Sequence, residues 1–240
     1  MSGRRHVDVE GLFNVRDLGG LPLKRGGTTP TGAFLRSESP DLVTPAGWRA
    51  LEGRGVRTVV DLRQQVERDR EPVRTPEQVV VRHVDHDGLA DHPDFWAGYW
   101  ENGLVGTPLY FLPHLAALPE RTVAVLAAIA DAPAGAVLVH CGAGRDRTGV
   151  IAAVLLAIAG VEEDAIAADY LETIENVPAM TVGRGRPDQE AEIATLLAER
   201  GTTSEAAFRT FLAGLDVESL LSRLDPGDER AIRTWRGTLC

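Results

Sequence analysis

The stretch that most constrains this 240-residue chain is Ala136-Val-Leu-Val-His140-Cys141-Gly-Ala-Gly-Arg145-Asp146-Arg147-Thr148-Gly149, with the apolar run Val150 to Leu156 directly behind it. A β-prone apolar segment gives way to glycines and charges and then to a helical apolar run, which predicts a strand, a tight loop and a buried helix in succession. That unit is the building block of an α/β sheet. A loop of this kind can aim successive N–H groups into one concavity, to which the following helix adds its positive N-terminal end. The segment therefore reads as an anion site.

The rest of the chain fits such a sheet. Short β-rich stretches at Leu12–Val15, Ala33–Arg36, Val56–Leu62, Val79–Val84 and Ala136–His140 alternate with helical ones. Thr44-Pro45 supplies an N-cap and first-turn proline for a helix to about Gly53, and Pro119 opens another to about Ala130. The expectation is a central sheet of about four to five mostly parallel strands flanked by helices. From Gly149 on, the segments Gly149–Ile158, Glu162–Ile174, Pro187–Arg200, Ser204–Leu212 and Asp225–Trp235 have helical spacing, so residues 150–240 are expected to form a helical layer. Gly160 is the expected break between the first two. Without a repeat or a Ser/Gly linker, the simplest organisation is one domain over residues 1–240. Between His86 and Pro113 no period is clear. The aromatics there, Phe95, Trp96, Tyr99, Trp100, Tyr110 and Phe111, are expected to serve mainly as core.

Composition limits the partners. A formal net charge of −10 and a pI near 5.1 argue against nucleic acid and anionic membrane as partners, so any anion site must be local. The longest apolar run, Val150 to Val161, is too short to span a bilayer, and the N-terminus lacks an apolar leader. The expectation is a cytoplasmic protein with no transmembrane segment. Two cysteines, Cys141 and Cys240, allow neither a disulfide framework nor a four-thiolate zinc site, and no metal or cofactor is expected. Cys240, at the terminus, receives no role.

Cys141 stands at the base of the loop, where a positive field would favour thiolate over thiol and so create a nucleophile. Gly142 and Gly144 let the backbone approach a ligand, so Gly142, Ala143, Gly144 and Arg145 are the expected substrate-binding positions. Arg147, six residues beyond the cysteine, can hold two phosphate oxygens in a planar fork that lysine cannot reproduce. Thr148 is placed to donate to the sulfur, Arg145 adds a second cation at the rim, and Asp146 brings a carboxyl to the leaving-group side. His140 is read either as orienting the loop and holding the thiolate through its ring N–H or as a satisfied strand-end residue. The spacing Cys-x5-Arg alone carries little weight in an arginine-rich chain; its context gives it meaning.

The decamer HCGAGRDRTG at 140–149 resembles the signature loop of the cysteine-dependent protein tyrosine phosphatase superfamily. It is closest to the bacterial tyrosine/serine phosphatases, in which the loop reads HCxxGKDRTG. Phe13-Asn-Val-Arg16-Asp17-Leu-Gly19, Leu35-Arg36-Ser37, Val59-Val-Asp61-Leu-Arg63 and Ala168-Asp169-Tyr-Leu171 are similar to that family's other segments, in its order. Arg145 departs from the lysine common there. The resemblance implies metal-free two-step hydrolysis of phosphomonoesters through a phosphocysteine. It further implies a phosphotyrosine protein as substrate, with phosphoserine, phosphothreonine or phosphoinositide as further options, and inorganic phosphate as product. It also implies a general acid inside the loop, at Asp146. Asp85 and Asp87, after the Val79–Val84 strand, are the rivals on a separate loop.

Several charged residues stay ambiguous. Arg16, Asp17, Arg36, Asp61 and Arg63 close apolar strands and either buttress the loop or face water, with a supporting role favoured for Asp61 and Arg63. Arg184 and Arg186 either border a phosphorylated partner or lie on an exposed loop. Two other classes compete with the hydrolase: a rhodanese-type sulfurtransferase and a non-catalytic phosphate-recognition module.

Overall fold

The structure, a computed structural model, describes residues 5–185 and 187–235. Five strands form one sheet: β1 (Arg16–Asp17), β2 (Phe34–Ser37), β3 (Val56–Asp61), β4 (Val80–His83) and β5 (Ala136–His140). Their order is β1-β2-β5-β3-β4; β1 pairs antiparallel with β2, and every other pairing is parallel. The expected mostly parallel α/β sheet is thus present. One strand is displaced: the apolar stretch Leu12–Val15 is not a strand, and the ladder begins at the charged pair Arg16–Asp17. Leu12 and Val15 join the core instead from a turn and bend ahead of the ladder.

Both faces of the sheet are covered at its centre, so β5 is buried along its whole length rather than alternating. In β5, Ala136 and Leu138 face a cluster with Val7, Val9, Trp48 and Leu51. Val137 and Val139 face the larger cluster built on the remaining helices. Helix α1 (Pro45–Gly53), capped by the Thr44 hydroxyl accepting from Gly47 N–H, covers the first face. The second face receives α5 (Pro119–Ala130) and α6 (Asp146–Ala159).

Between them lie α2 (Gln65–Arg70), α3 (Pro93–Trp100) and α4 (Phe111–Ala117), with a short 3-10 turn at Pro108–Tyr110. The stretch without a clear period thus holds α3, the 3-10 turn and the start of α4, joined by turns. Its aromatics divide: Trp96, Tyr110 and Phe111 are core, whereas Trp100 is 52% exposed.

Helix α6 starts at Asp146, three residues before the expected Gly149, because Asp146, Arg147 and Thr148 form its first turn. All seven residues from Val150 to Leu156 are buried, at about 2 kcal/mol for each large aliphatic side chain. Gly149 permits the close crossing of α7 (Glu163–Arg184), since a Cβ there would meet the Tyr170 ring at 3.1 Å. That helix passes Ile174, the expected end, and continues through Pro178 for ten more residues. Beyond it come α8 (Glu190–Glu199), α9 (Ser204–Gly214), α10 (Val217–Leu221) and α11 (Pro226–Arg233), as the helical layer requires. Arg186 and Cys240 lie outside the described residues. No single helix among the described residues is long and apolar enough to cross a membrane.

Candidate active site

Parallel register brings the C-terminal ends of three strands level, with Ser37 and Asp61 both opposite His140. In open α/β sheets this edge is where ligands bind. The loop Cys141–Arg145 leaves β5 at that edge and runs into α6.

Every carbonyl of the loop is tied away from its centre. The Cys141 oxygen accepts from Nδ1 of His140 (3.0 Å), that of Gly142 from Ser39 N–H (2.9 Å), and that of Ala143 from Asn14 Nδ2 (3.4 Å). Gly144 O accepts from Arg36 Nη2 (2.7 Å) and Arg145 O from Gly149 N–H (2.9 Å). A trans peptide whose C=O is held outward points its own N–H, that of the next residue, inward. No N–H from Gly142 to Arg145 donates to a carbonyl among the described residues. Together with the orphan amides of the first turn of α6, this gives the concavity its positive lining. Gly144 is required on two counts: its φ is +69°, and a Cβ would lie 2.5 Å from the Ser37 carbonyl oxygen.

Cys141 is 2% exposed at the floor of this loop. Beneath the loop, Arg36 joins a buried cluster in which Asp169 accepts from Arg36 Nη1 (2.6 Å), Arg16 Nε (3.0 Å) and Arg5 (2.8 Å). Burial alone would raise the Asp169 pKa, but the three guanidiniums hold it far below the carboxylate range. Burial and the neighbouring Arg16 push Arg36 down to about 10. Arg16 and Arg36 thus buttress the loop and do not face water. Asp17 accepts from the N–H groups of Gly19 and Gly32 and shapes a turn away from the loop.

His140 does not reach the thiol with a donor. Its Nδ1 is spent on the Cys141 carbonyl, and Nε2 is unpartnered, 3.7 Å from Asp61 Oδ1. Burial pushes its pKa down to about 4, so the ring is neutral. Asp61 is gripped by Arg63 through Nε (2.9 Å) and Nη2 (2.8 Å). These bonds, with the nearby charges, outweigh burial and bring it to about 2. These bonds turn the two side chains chiefly on one another.

Arg147 Nη2 donates to Glu67 Oε1 (2.9 Å), while its Nη1 donates to Glu67 Oε2 and, at 3.1 Å, to Asp87 Oδ2. Arg145 differs from the expected rim cation: it is 5% exposed and paired with Glu190 of α8. Thr148 is fully buried, and its hydroxyl has no hydrogen-bond partner among the described residues, the sulfur included. Arg184 is neither loop nor exposed; it ends α7, donates to Ser39 O (3.1 Å) and pairs with Asp41 (2.7 Å).

The three candidate acids are placed differently. Asp85 accepts from Asp87 and Gly88 N–H (both 3.1 Å) and closes a turn. Asp87 is tied to Arg147 and to Gln64 Nε2 (2.9 Å). Asp146 accepts no hydrogen bond among the described residues, and burial raises its pKa against the opposing pull of Arg145 and Arg147.

Two cavities meet at Asp146. One, of about 290 Å³, is bordered by Glu67, Asp87, Asp146 and Arg147, with Trp96, Trp100, Tyr110, Val66 and Val105 as walls. The other, of about 190 Å³, lies toward Ala143, Val177, Met180 and Ile193. The sequence assigns no role to Glu67, names Asn14 only within the segment at 13–19, and reads Trp100 as core rather than as a wall of the site. Only the spacing of Gln64 and Glu67, in which the glutamate reaches back to the Gln64 N–H (3.0 Å), marks Glu67 in the sequence, and it signals a helix start rather than a site.

Comparison with known proteins places these features in one group. Residues 7–219 match the tyrosine phosphatase family. A Cupriavidus necator protein named a tyrosine-protein phosphatase is 30% identical over 230 residues, covering 89% of this chain and 81% of its own. The triple specificity protein phosphatase PtpB of Mycobacterium tuberculosis is 27% identical over 248 residues, covering 92% and 88%. A Nostoc commune tyrosine-protein phosphatase is 33% identical over 173 residues, covering 63% of this chain and 53% of its own.

Proposed function

The chain belongs to the tyrosine phosphatase family, and from that premise we propose that it hydrolyses phosphotyrosine through a phosphocysteine formed on Cys141. The single observation that carries this reading is the outward tethering of every loop carbonyl around that cysteine, which leaves the loop amides for an oxyanion.

In the first step Cys141 Sγ attacks phosphorus in line, the S–P bond forms and the P–O bond to the leaving group breaks. The loop amides and Arg147 carry the equatorial charge in a site from which most water is excluded. Asp146 gives its proton to the departing oxygen. It is suited to this because it spends no lone pair on a neighbour, and its raised pKa keeps the proton available closer to neutrality. In the second step Asp146 takes a proton from water as that water attacks phosphorus, and thiolate and inorganic phosphate are released.

The walls of the larger cavity favour tyrosine over serine. Trp96, Trp100, Tyr110 and Val66 give an aromatic ring flat apolar surfaces beside Arg147, which a short seryl side chain would not reach. Arg145, its charge answered by Glu190, adds little for a polyphosphorylated headgroup.

The test is hydrolysis of an aryl phosphate with EDTA present, wild type against Cys141→Ser, followed by matched phosphotyrosine, phosphoserine and phosphoinositide substrates. Full activity in the serine variant would overturn the thiolate mechanism. Equal turnover on all three substrates would overturn the tyrosine preference.

A further inference from the structure

A guanidinium has five N–H donors in one plane: two on each Nη and one on Nε. At Arg147 three are taken. Glu67 receives one from each Nη across the end of the fork, and Asp87 receives the second hydrogen of Nη1. Nε and the remaining hydrogen of Nη2 have no partner among the described residues, and those two lie on one edge. Nη2 and Glu67 Oε1 both lie against the loop, 3.6 and 3.5 Å from where a Cβ on Gly142 would stand.

We propose that Glu67, assisted by Asp87, is the positioning residue for Arg147: the two carboxylates fix the guanidinium so that its Nε–Nη2 edge is presented to the phosphate. This rests on the anion-site reading of the loop. An arginine side chain free in water samples many rotamers, and a two-point grip on one end removes that freedom before the substrate arrives. Glu67 is itself fixed, because the same carboxylate accepts the Gln64 N–H at the start of α2. Burial would raise its pKa, but the hydrogen bonds and charge of Arg147 prevail and hold it down, so it stays ionised. A carboxylate that competed for the phosphate's own edge would instead be an internal inhibitor. The bond pattern separates the two roles, since the edge that suits two phosphate oxygens is the one left open.

The experiment measures binding of tungstate, a tetrahedral oxyanion, by calorimetry to Cys141→Ser protein with and without Glu67→Gln, alongside kcat and KM of the same substitution in the wild-type background. Glu67→Gln is expected to weaken tungstate binding and lower kcat/KM each by about tenfold, Glu67→Asp to recover part of that, and the melting temperature to change little, because glutamine keeps the helix-start acceptor. In an Arg147→Lys background, which lacks the fork, Glu67→Gln is expected to add about twofold or less. Tighter tungstate binding by Glu67→Gln would make the carboxylate a competitor and overturn the proposal. Full additivity in the Arg147→Lys background would overturn it as well. Should Glu67→Gln fail to fold, Asp87→Asn carries the same comparison. Tungstate binding does not need turnover, so a protein that binds the anion but hydrolyses no phosphate ester would refute the hydrolase reading alone.

Discussion

Asp87 lies against Arg147, with Oδ2 3.1 Å from Nη1, so although burial raises its pKa as it does that of Asp146, its carboxylate is shared with the guanidinium. The neighbouring carboxyl of Asp146 accepts no hydrogen bond and borders both cavities. On the proposed mechanism Asp146 is the acid and Asp87 helps to hold Arg147. Asp146→Asn is expected to slow hydrolysis of alkyl phosphates by about 10²–10⁴-fold and to spare esters with good leaving groups. Asp87→Asn should act on KM. A poor-leaving-group assay on both variants checks the order, and the reverse pattern would move the acid to Asp87.

On the proposed mechanism the protonated form of Asp146 is the active one, so the rate is expected to fall as pH rises through its pKa. Because burial raises that pKa, the falling limb is displaced above the ordinary carboxylate range, and Asp146→Asn should flatten it. A pH profile of kcat with an alkyl phosphate is the measurement.

Stability has its own pH signature at His140. Burial lowers its pKa to about 4, so between about 4 and the ordinary 6.5 the unfolded chain binds a proton that the folded one refuses. Its contribution is complete above 6.5 and is lost as the pH falls toward 4. His140→Gln should give a shallower drop in melting temperature across that window than the parent protein, and an unchanged slope would contradict the buried neutral ring.

Gly144→Ala combines a left-handed backbone with a contact at 2.5 Å on the Ser37 oxygen, and Gly160→Ala shares only the backbone, since nothing lies within 4 Å of its Cβ. Denaturant unfolding should show a cost of about 1 kcal/mol at Gly160 and clearly more at Gly144. Only the latter should raise KM.

Trp100 is half exposed at the cavity mouth. Trp100→Ala is expected to raise KM for phosphotyrosine peptides about three- to tenfold, as loss of an aromatic contact implies, and to leave phosphoserine nearly untouched. Equal effects on both would remove the tryptophan from specificity.

The strand, loop and helix at 136–158 were legible because each element there has its own local code: β-prone residues, glycines, then an apolar helical run. The loop's partners were not legible in that way. Glu67 reads as a helix-start residue, and its grip on Arg147 depends on a pairing 80 residues apart. Arg145 is buried rather than at the rim for the same reason, since its partner Glu190 comes on α8 from 45 residues away. Arg184 seemed loose because Gly-Arg-Gly-Arg-Pro looks like loop, yet α7 carries through Pro178 and delivers it to Asp41. Periodicity reports which face is buried, not which distant side chain will meet it.

The loop carbonyls owe their direction to Asn14, Arg36 and Ser39, two of these bonds spanning 129 and 108 residues. A decamer that looks self-contained is thus finished by the opposite end of the chain. During synthesis the cysteine emerges long after its restraints, and the cradle closes only when strands from both halves have docked. The motif is then no portable cassette: grafted onto another strand–helix junction without that N-terminal scaffold, it would carry the nucleophile but not the geometry that makes it one.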